Sequence, residues 1–335
     1  MRNSSFNLEE RRLAKEIQKR KAKRVLIQLP DGLKPYASKI ASIVENVGAQ
    51  AFISADSCYG ACDLAIYDAQ SISADLIVHY GHTKLIEQTH VPVIYFEAWA
   101  KLDIKVAVKK ALPLLSSWKS IGLVTTVQHV HKFNAARDLL LKEGKKVVIG
   151  DIGRLKYAGQ VIGCDYSNAK VIENQVDAFL FIGGGKFHAI GVSLATSKPT
   201  VIADPYEKRA YSIESAAQKV RKQRMLSVSE AKKAETFGIL IGLKPGQQRL
   251  QEAEEIKEKI EHKGKNAILF VLKEITPETL MQFPTIDVFI NTTCPRTVLD
   301  DSPRFSKPML TISETLVVIG EMDWEDFCKK GWFGN

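Results

Sequence analysis

The residues with the widest chemical reach in this chain are five unevenly spaced cysteines. Cys58 and Cys62 form a C-x3-C pair in ADSCYGACD, Cys164 stands in VIGCD, Cys294 in NTTCPR, and Cys328 in the tail DWEDFCKKGWFGN. An odd and small number of thiols does not make a disulfide framework. In a reducing compartment such residues are metal ligands, catalytic groups or buried inert thiols. Three thiolates cannot complete a four-coordinate structural zinc site. They can hold a cubane iron–sulfur cluster and leave one iron open to a ligand. The C-x3-C pair also resembles the start of the C-x3-C-x2-C loop of radical-SAM enzymes, but the third position is Ala65, so that loop is incomplete.

Short apolar runs rich in Val and Ile must position these thiols. They are VLIQLP, AQAFIS, DLIVHY and VPVIYF, then IGLVTT, KVVIG, AFLFIG and PTVIAD, then GILIG, NAILFV, DVFIN and MLTIS. Continuous runs of this length suit parallel strands covered on both faces. The segments KPYASKIASIVENVG, HKFNAARDLLLKEGKK and QQRLQEAEEIKEKIEHKGK have helical periodicity and end at or near a glycine. The twelve strands fall into three sets of four. The expected fold is α/β: three similar units in series, each a small four-stranded parallel sheet flanked by helices, about a pseudo-threefold axis with the active site at its centre. The expected limits are residues 1–100 (with the basic N-terminal helix and Cys62), 101–210 (Cys164) and 211–335 (Cys294). AWAKLDIKVAVKKALPLL and EKRAYSIESAAQKVRKQRM read as helices leading into the second and third units. Chemistry in open α/β sheets collects beyond the carboxyl ends of the strands. Cys58 and Cys62 follow a second strand, Cys164 another second strand, and Cys294 a third strand, so one thiol from each unit could meet at the centre. Cys328 lies past the last strand and reads as structural.

Bulk properties bound the rest. The chain has 335 residues, 45% hydrophobic and 25% charged, an ordinary globular composition. No apolar run nears the ~18 residues of a membrane span, and no signal peptide is evident, so a cytoplasmic location without membrane contact is expected. The net charge of +9 favours acidic partners. Its densest run, Arg11 to Arg24, reads first as a solvated helix face.

Taken together, LPDGL (29–33), DSCYGAC (56–62), VHYGH (78–82), VIGCD (161–165), FIGGGKFH (181–188), ADPY (203–206), GLKPGQQR (242–249) and NTTCPR (291–296) resemble the archaeal 2-(3-amino-3-carboxypropyl)histidine synthases of diphthamide biosynthesis, over roughly residues 20–330. The resemblance implies a 4Fe–4S cluster on Cys62, Cys164 and Cys294, with Cys62 rather than Cys58 as the ligand in CYGAC. It implies S-adenosylmethionine as co-substrate, cleaved between sulfur and the methionine Cγ to release methylthioadenosine. The 3-amino-3-carboxypropyl group then goes to C2 of a histidine imidazole in translation elongation factor 2. An electron donor and a homodimer are also implied.

Other residues are candidates for S-adenosylmethionine contacts. Gly183, Gly184 and Gly185 allow close backbone approach or make a tight turn; GGGK lacks the spacing of a Walker loop. Gly81, His82 and His188 follow equivalent strands. Gln247 and Arg249 open a helix, where they could bind a carboxylate or simply cap and solvate it. Arg296 follows Cys294. Asp31 and Asp204 could meet the sulfonium or ammonium charge, and Asp31 is also a natural turn residue in PDG. Two rival classes share some of these features: a quinolinate-synthase-like iron–sulfur dehydratase, and a zinc-stabilised RNA-binding module.

Overall fold

The computed structural model describes residues 5–330 and 332–333. The chain forms two compact units. One holds Met1–Leu102, Val127–His131 and Lys244–Gly246; the other holds the remainder.

Unit 1 contains a sheet of β1 (Arg24–Gln28), β2 (Gln50–Ser54), β3 (Leu76–Tyr80) and β4 (Val93–Phe96), all parallel, in the order β2-β1-β3-β4. Unit 2 contains two sheets. The first has β5 (Ser120–Thr125), β6 (Lys146–Val148), β7 (Ala178–Ile182) and β8 (Thr200–Asp204) in the order β6-β5-β7-β8, with β9 (Arg209–Ser212) added antiparallel at the β8 edge. The second has β10 (Thr236–Gly242), β11 (Asn266–Leu272), β12 (Val288–Asn291) and β13 (Met309–Thr311) in the order β11-β10-β12-β13. The expected α/β architecture, with one sheet topology used three times, is present. Every residue of β3, β7 and β8 is buried, as continuous apolar runs demand.

The repeat extends to its fittings. The helices Ala37–Asn46, Phe133–Lys142 and Leu250–His262 each link the first two strands of a sheet. Each is followed closely by a left-handed glycine: Gly48 (φ 88°), Gly144 (φ 73°) and Gly264 (φ 74°). The next residue's N–H then bonds back to the helix, Ala49 to Val44 O, Lys145 to Leu140 O and Lys265 to Ile260 O. A side chain would strain that turn, which is why the glycines stand there.

An aspartate just before the third strand of each sheet accepts from the backbone at the start of the first. Asp75 takes Lys23 N (2.9 Å) and Arg24 N (3.2 Å). Asp177 takes Lys119 N and Ser120 N, and Asp287 takes Glu235 N and Thr236 N. The Ser120 and Lys119 amides hold the Asp177 carboxyl below the usual range, and those of Thr236 and Glu235 do the same for Asp287. A depressed folded pKa adds stability above the ordinary carboxylate pKa, and that stability is lost as pH falls through the folded value. Asp177→Asn and Asp287→Asn should therefore lower Tm at neutral pH, and the gap from wild type should narrow on acidification below about pH 4. Melts across that range would reject the assignment if the gap stays constant or widens.

Two sequence expectations are corrected. Thirteen strands occur among the described residues, not twelve, and EKRAYSIESAAQKVRKQRM is helical only from Glu214. The Asp204 carboxylate accepts from Tyr206 N and Glu207 N, and Lys208 takes a left-handed φ of 51°. This turn sends Arg209–Ser212 back along β8 before the helix Glu214–Ala231 starts. The segment Asp31–Tyr36 is a 3-10 turn, and the α-helix starts only at Ala37.

Inside unit 2, Arg224 of the helix Glu214–Ala231 is 1% exposed and grips Glu314, 0% exposed, with both arms: Nε to Oε1 at 2.8 Å and Nη2 to Oε2 at 2.7 Å. Arg224 also donates to Val298 O and Met309 O. Glu314 takes Trp332 Nε1 and closes a capping box with Thr311. In unit 1 the basic helix Glu10–Arg20 buries Leu13 and Ile17 and leaves Arg11, Lys15 and Lys19 exposed, a solvated face. No described helix is long and apolar enough to cross a membrane.

Candidate functional site

None of the five cysteines is in a disulfide. In unit 1, the loop after β2 carries Cys58 and Cys62. Gly246 N donates to Cys62 O at 2.7 Å, and a Cβ on Gly246 would stand 2.6 Å from Cys62 Cα, so only glycine allows this approach. Lys244 Nζ bonds Asp63 Oδ2 at 2.9 Å and lies 4.3 Å from the Tyr59 ring centroid. Lys244 and Gly246 thus both hold the CYGAC loop. Cys62 is partly exposed, whereas Cys58 is buried. Burial, then the Asp63 carboxylate, pushes the Cys58 thiol up to about 12.

His79, next to last in β3, is fully buried, and its Nε2 lies 2.9 Å from His82 Nδ1. Burial, followed by His82, keeps His79 well below the usual histidine range; burial lowers His82 to about 4 against a raising bond with the Tyr80 backbone. Gly81 is buried, with its N–H on Phe96 O and its carbonyl accepting from Gln128 Nε2. A Cβ on Gly81 would stand 2.8 Å from Pro30 Cγ, so the HYGH turn rests on the LPDGL turn. Asp31, the residue after that proline, is exposed and paired with Lys34 at 2.7 Å.

In unit 2, the aromatic ring of Phe187 joins the loops of two cysteines. Phe187 opens the helix Phe187–Thr196, directly after the glycine run. A Cβ on Gly163, beside Cys164, would stand 2.8 Å from the Phe187 ring. The Arg296 guanidinium, two residues after Cys294, lies 5.4 Å from the same ring's centroid and also pairs with Asp300 at 3.4 Å. Between these loops, the Tyr166 hydroxyl is buried with no hydrogen-bond partner. Burial holds its pKa well above the usual tyrosine range, with further contributions from Cys164 and Cys294. One buried group therefore senses both thiols. Cys164 is exposed and Cys294 half-buried.

The other candidates in unit 2 divide. A Cβ on Gly184 would stand 3.0 Å from Tyr206 and 3.7 Å from Asp204 Oδ2, so the glycine run faces the buried Asp204. Gly183 is buried, and Gly185 is exposed with φ 75°. His188 stacks on Phe181 at 6.0 Å and meets Phe187 edge-on at 5.3 Å. Gln247 is buried near Gly242, whereas Arg249, ahead of the helix Leu250–His262, is exposed and makes no side-chain cap. Cys328 packs against the core beside Trp324, as a structural thiol does.

The residues that sequence reading passed over are Gln28, His79, Tyr166 and Phe187. Gln28 and His79 had a usable signal: each is a polar residue inside an apolar strand run, VLIQLP and DLIVHY. A buried polar residue there needs a partner, and these two are partners, Gln28 Oε1 to His79 Nδ1 at 2.9 Å.

The profile of the diphthamide synthesis protein family matches residues 29–328. The 2-(3-amino-3-carboxypropyl)histidine synthase of Pyrococcus horikoshii is 35% identical over 94% of this chain and 91% of its own length. Subunit 1 of the Schizosaccharomyces pombe synthase is 32% identical over 96% of this chain and 76% of its own. The crystal structure of Dph2 from P. horikoshii with a 4Fe-4S cluster superposes with a TM-score of 0.87 at 33% identity, covering 95% of this chain and 92% of that one. Matched by the family profile over residues 29–328, and by a relative of 35% identity over nearly its full length, this chain belongs to the diphthamide synthesis protein family.

Proposed function

We propose that this chain is a 3-amino-3-carboxypropyl transferase that carries out the first step of diphthamide biosynthesis, moving that group from S-adenosylmethionine to C2 of a histidine imidazole in a protein substrate. The observation that carries this reading is the junction at Phe187, where the Cys164 and Cys294 loops meet directly behind the glycine run. Three thiols outside any disulfide, each beyond the carboxyl end of a parallel strand, are a fitting donor set for a 4Fe–4S cluster with one open iron. Cys62, Cys164 and Cys294 would hold it, one from each of three units with limits near residues 100 and 210. When bound and reduced, the cluster supplies the electron that breaks the sulfur–Cγ bond, giving methylthioadenosine and the transferred group.

The chain's own residues bind and orient. Gly183, Gly184 and Gly185 let the co-substrate approach the backbone. Asp204, 3% exposed, offers a carboxylate beside Gly184 to the sulfonium or ammonium charge. Arg296, His188, Gln247 and Arg249 supply donors for the methionine carboxylate, and Asp31 and Gly81 line the corresponding end of unit 1. Holding Cγ rather than the adenosyl carbon toward the reacting centre is positioning catalysis. We further propose translation elongation factor 2 as the protein substrate, a cytoplasmic homodimer as the working form, and a separate protein electron donor.

Anaerobic, dithionite-reduced protein given S-adenosylmethionine should release methylthioadenosine as the main product. Chromatography showing mainly 5′-deoxyadenosine would refute the reading and place the chain with enzymes that cut the adenosyl bond.

A further inference from the structure

Cys58 belongs to a second constellation, separate from the three thiols assigned to the cluster. The Cys58 Sγ and one ring nitrogen each of His79 and His82 all lie within 4.8 Å of one another. Cys58 is 5% exposed and His79 0%. The residues come from two strand ends of one sheet, Cys58 from the loop after β2 and the histidines from the end of β3. All three lie in unit 1.

The tautomers are set by Gln28. Its Nε2 donates to Asp63 O at 2.6 Å, and its Oε1 accepts from Ala65 N at 3.2 Å, which fixes the amide's orientation. The Oε1 then faces His79 Nδ1 at 2.9 Å, and an amide oxygen can only accept. His79 therefore carries its proton on Nδ1 and turns the Nε2 lone pair toward His82. A ring nitrogen anchored through its partner N–H to an oxygen is the usual setting of a metal-bound histidine. The only proton between the rings is the one on His82 Nδ1, at a nitrogen separation of 2.9 Å.

We propose that Cys58, His79 and His82 bind a divalent zinc-class ion. One sulfur and two imidazoles form a borderline-soft donor set that selects zinc over magnesium or calcium, and three protein ligands leave the fourth position to water. Zn–N bonds of about 2.0–2.1 Å put tetrahedral ligands about 3.3 Å apart, so the rings need to part by only a few tenths of an ångström. On binding, the Cys58 thiol proton goes to solvent and the His82 proton moves from Nδ1 to Nε2 of the same ring, freeing Nδ1 for the metal. The ion ties the CYGAC loop to β3, four residues before Cys62.

The test is metal counting on the full chain with its cluster reconstituted, after exposure to zinc and removal of loose metal. Wild type should hold one zinc per chain beside the cluster iron. Cys58→Ala and His82→Ala should lose the zinc, Cys58→Ala should retain cluster iron and sulfide, and Cys62→Ala should lose iron yet keep zinc. Cobalt(II) in place of zinc should show a thiolate-to-cobalt charge-transfer band in Cys62→Ala that is missing in Cys58→Ala/Cys62→Ala. Zinc uptake that is equal in wild type and Cys58→Ala, or that follows Cys62 instead, would overturn the proposal. The cluster assignment would stand in either case, because its iron count is read separately.

Discussion

Cys62→Ala, Cys164→Ala and Cys294→Ala are each expected to lose most bound iron, or to keep a damaged cluster that releases no methylthioadenosine above background. Thiolate ligation dominates cluster binding, and with only three ligands none is redundant. Cys58→Ala should retain its cluster iron, because that thiol is buried against His79 and His82. Cys328→Ala should retain both iron and product release, because its side chain packs on the core of unit 2 beside Trp324. Iron and sulfide counting on the five anaerobically reconstituted variants, with product measured alongside, checks this. Normal clusters in both Cys164→Ala and Cys294→Ala would end the three-thiol assignment. A cluster that survives Cys62→Ala but not Cys58→Ala would move one ligand within CYGAC.

The second large effect is on stability. Arg224→Leu strands the Glu314 carboxylate at 0% exposure with Trp332 Nε1 and the Thr311 amide as its remaining donors. Removing one partner of a buried ion pair costs about 3–5 kcal/mol, because the other charge stays desolvated. For a chain of this size that is a fall in Tm of roughly 5–15 °C. Replacing both partners, as in Arg224→Leu/Glu314→Leu, should restore part of the loss, since no charge is then left alone. Calorimetry on samples of equal cluster content separates the outcomes, and a single variant within 2 °C of wild type, about 1 kcal/mol or less, would contradict this account. Arg224 also bonds Val298 O, in the helix directly after Cys294, so Arg224→Leu should loosen that loop as well.

Much of this was legible in the sequence, for stated physical reasons. Buried parallel strands read as unbroken apolar runs, and the glycine after each first helix marked its end. The cysteine positions beyond strand ends could be read off the same pattern. Other features depend on pairings that no local pattern encodes. Strand β9 is a short, half-polar segment whose identity comes from the edge it pairs with, so its neighbouring helix signal absorbed it. Arg224 and Glu314 are 90 positions apart, and a charged residue in a helix reads as solvated until its partner is known. Asp75, Asp177 and Asp287 look like turn residues; their common role shows only when the three sheets are compared. The bond between the His82 and His79 rings likewise follows from the strand end and is invisible in one dimension.

The clamp on CYGAC has a consequence for the order of events during synthesis. Asp63 and its partner Lys244 are separated by 181 positions, and Gly246, which holds the Cys62 carbonyl, comes later still. The first thiol leaves the ribosome early, but the backbone that seats it arrives only when the last sheet has begun to emerge. Contacts this distant in sequence form late and slow the folding they complete. During that interval the nascent chain presents Cys62 on an unclamped loop, open to air oxidation or stray metal. If Cys62 holds the cluster as proposed, iron loading should follow the emergence of residues 244–246, and co-expressed iron–sulfur assembly machinery should raise the yield of loaded protein more than slower translation does.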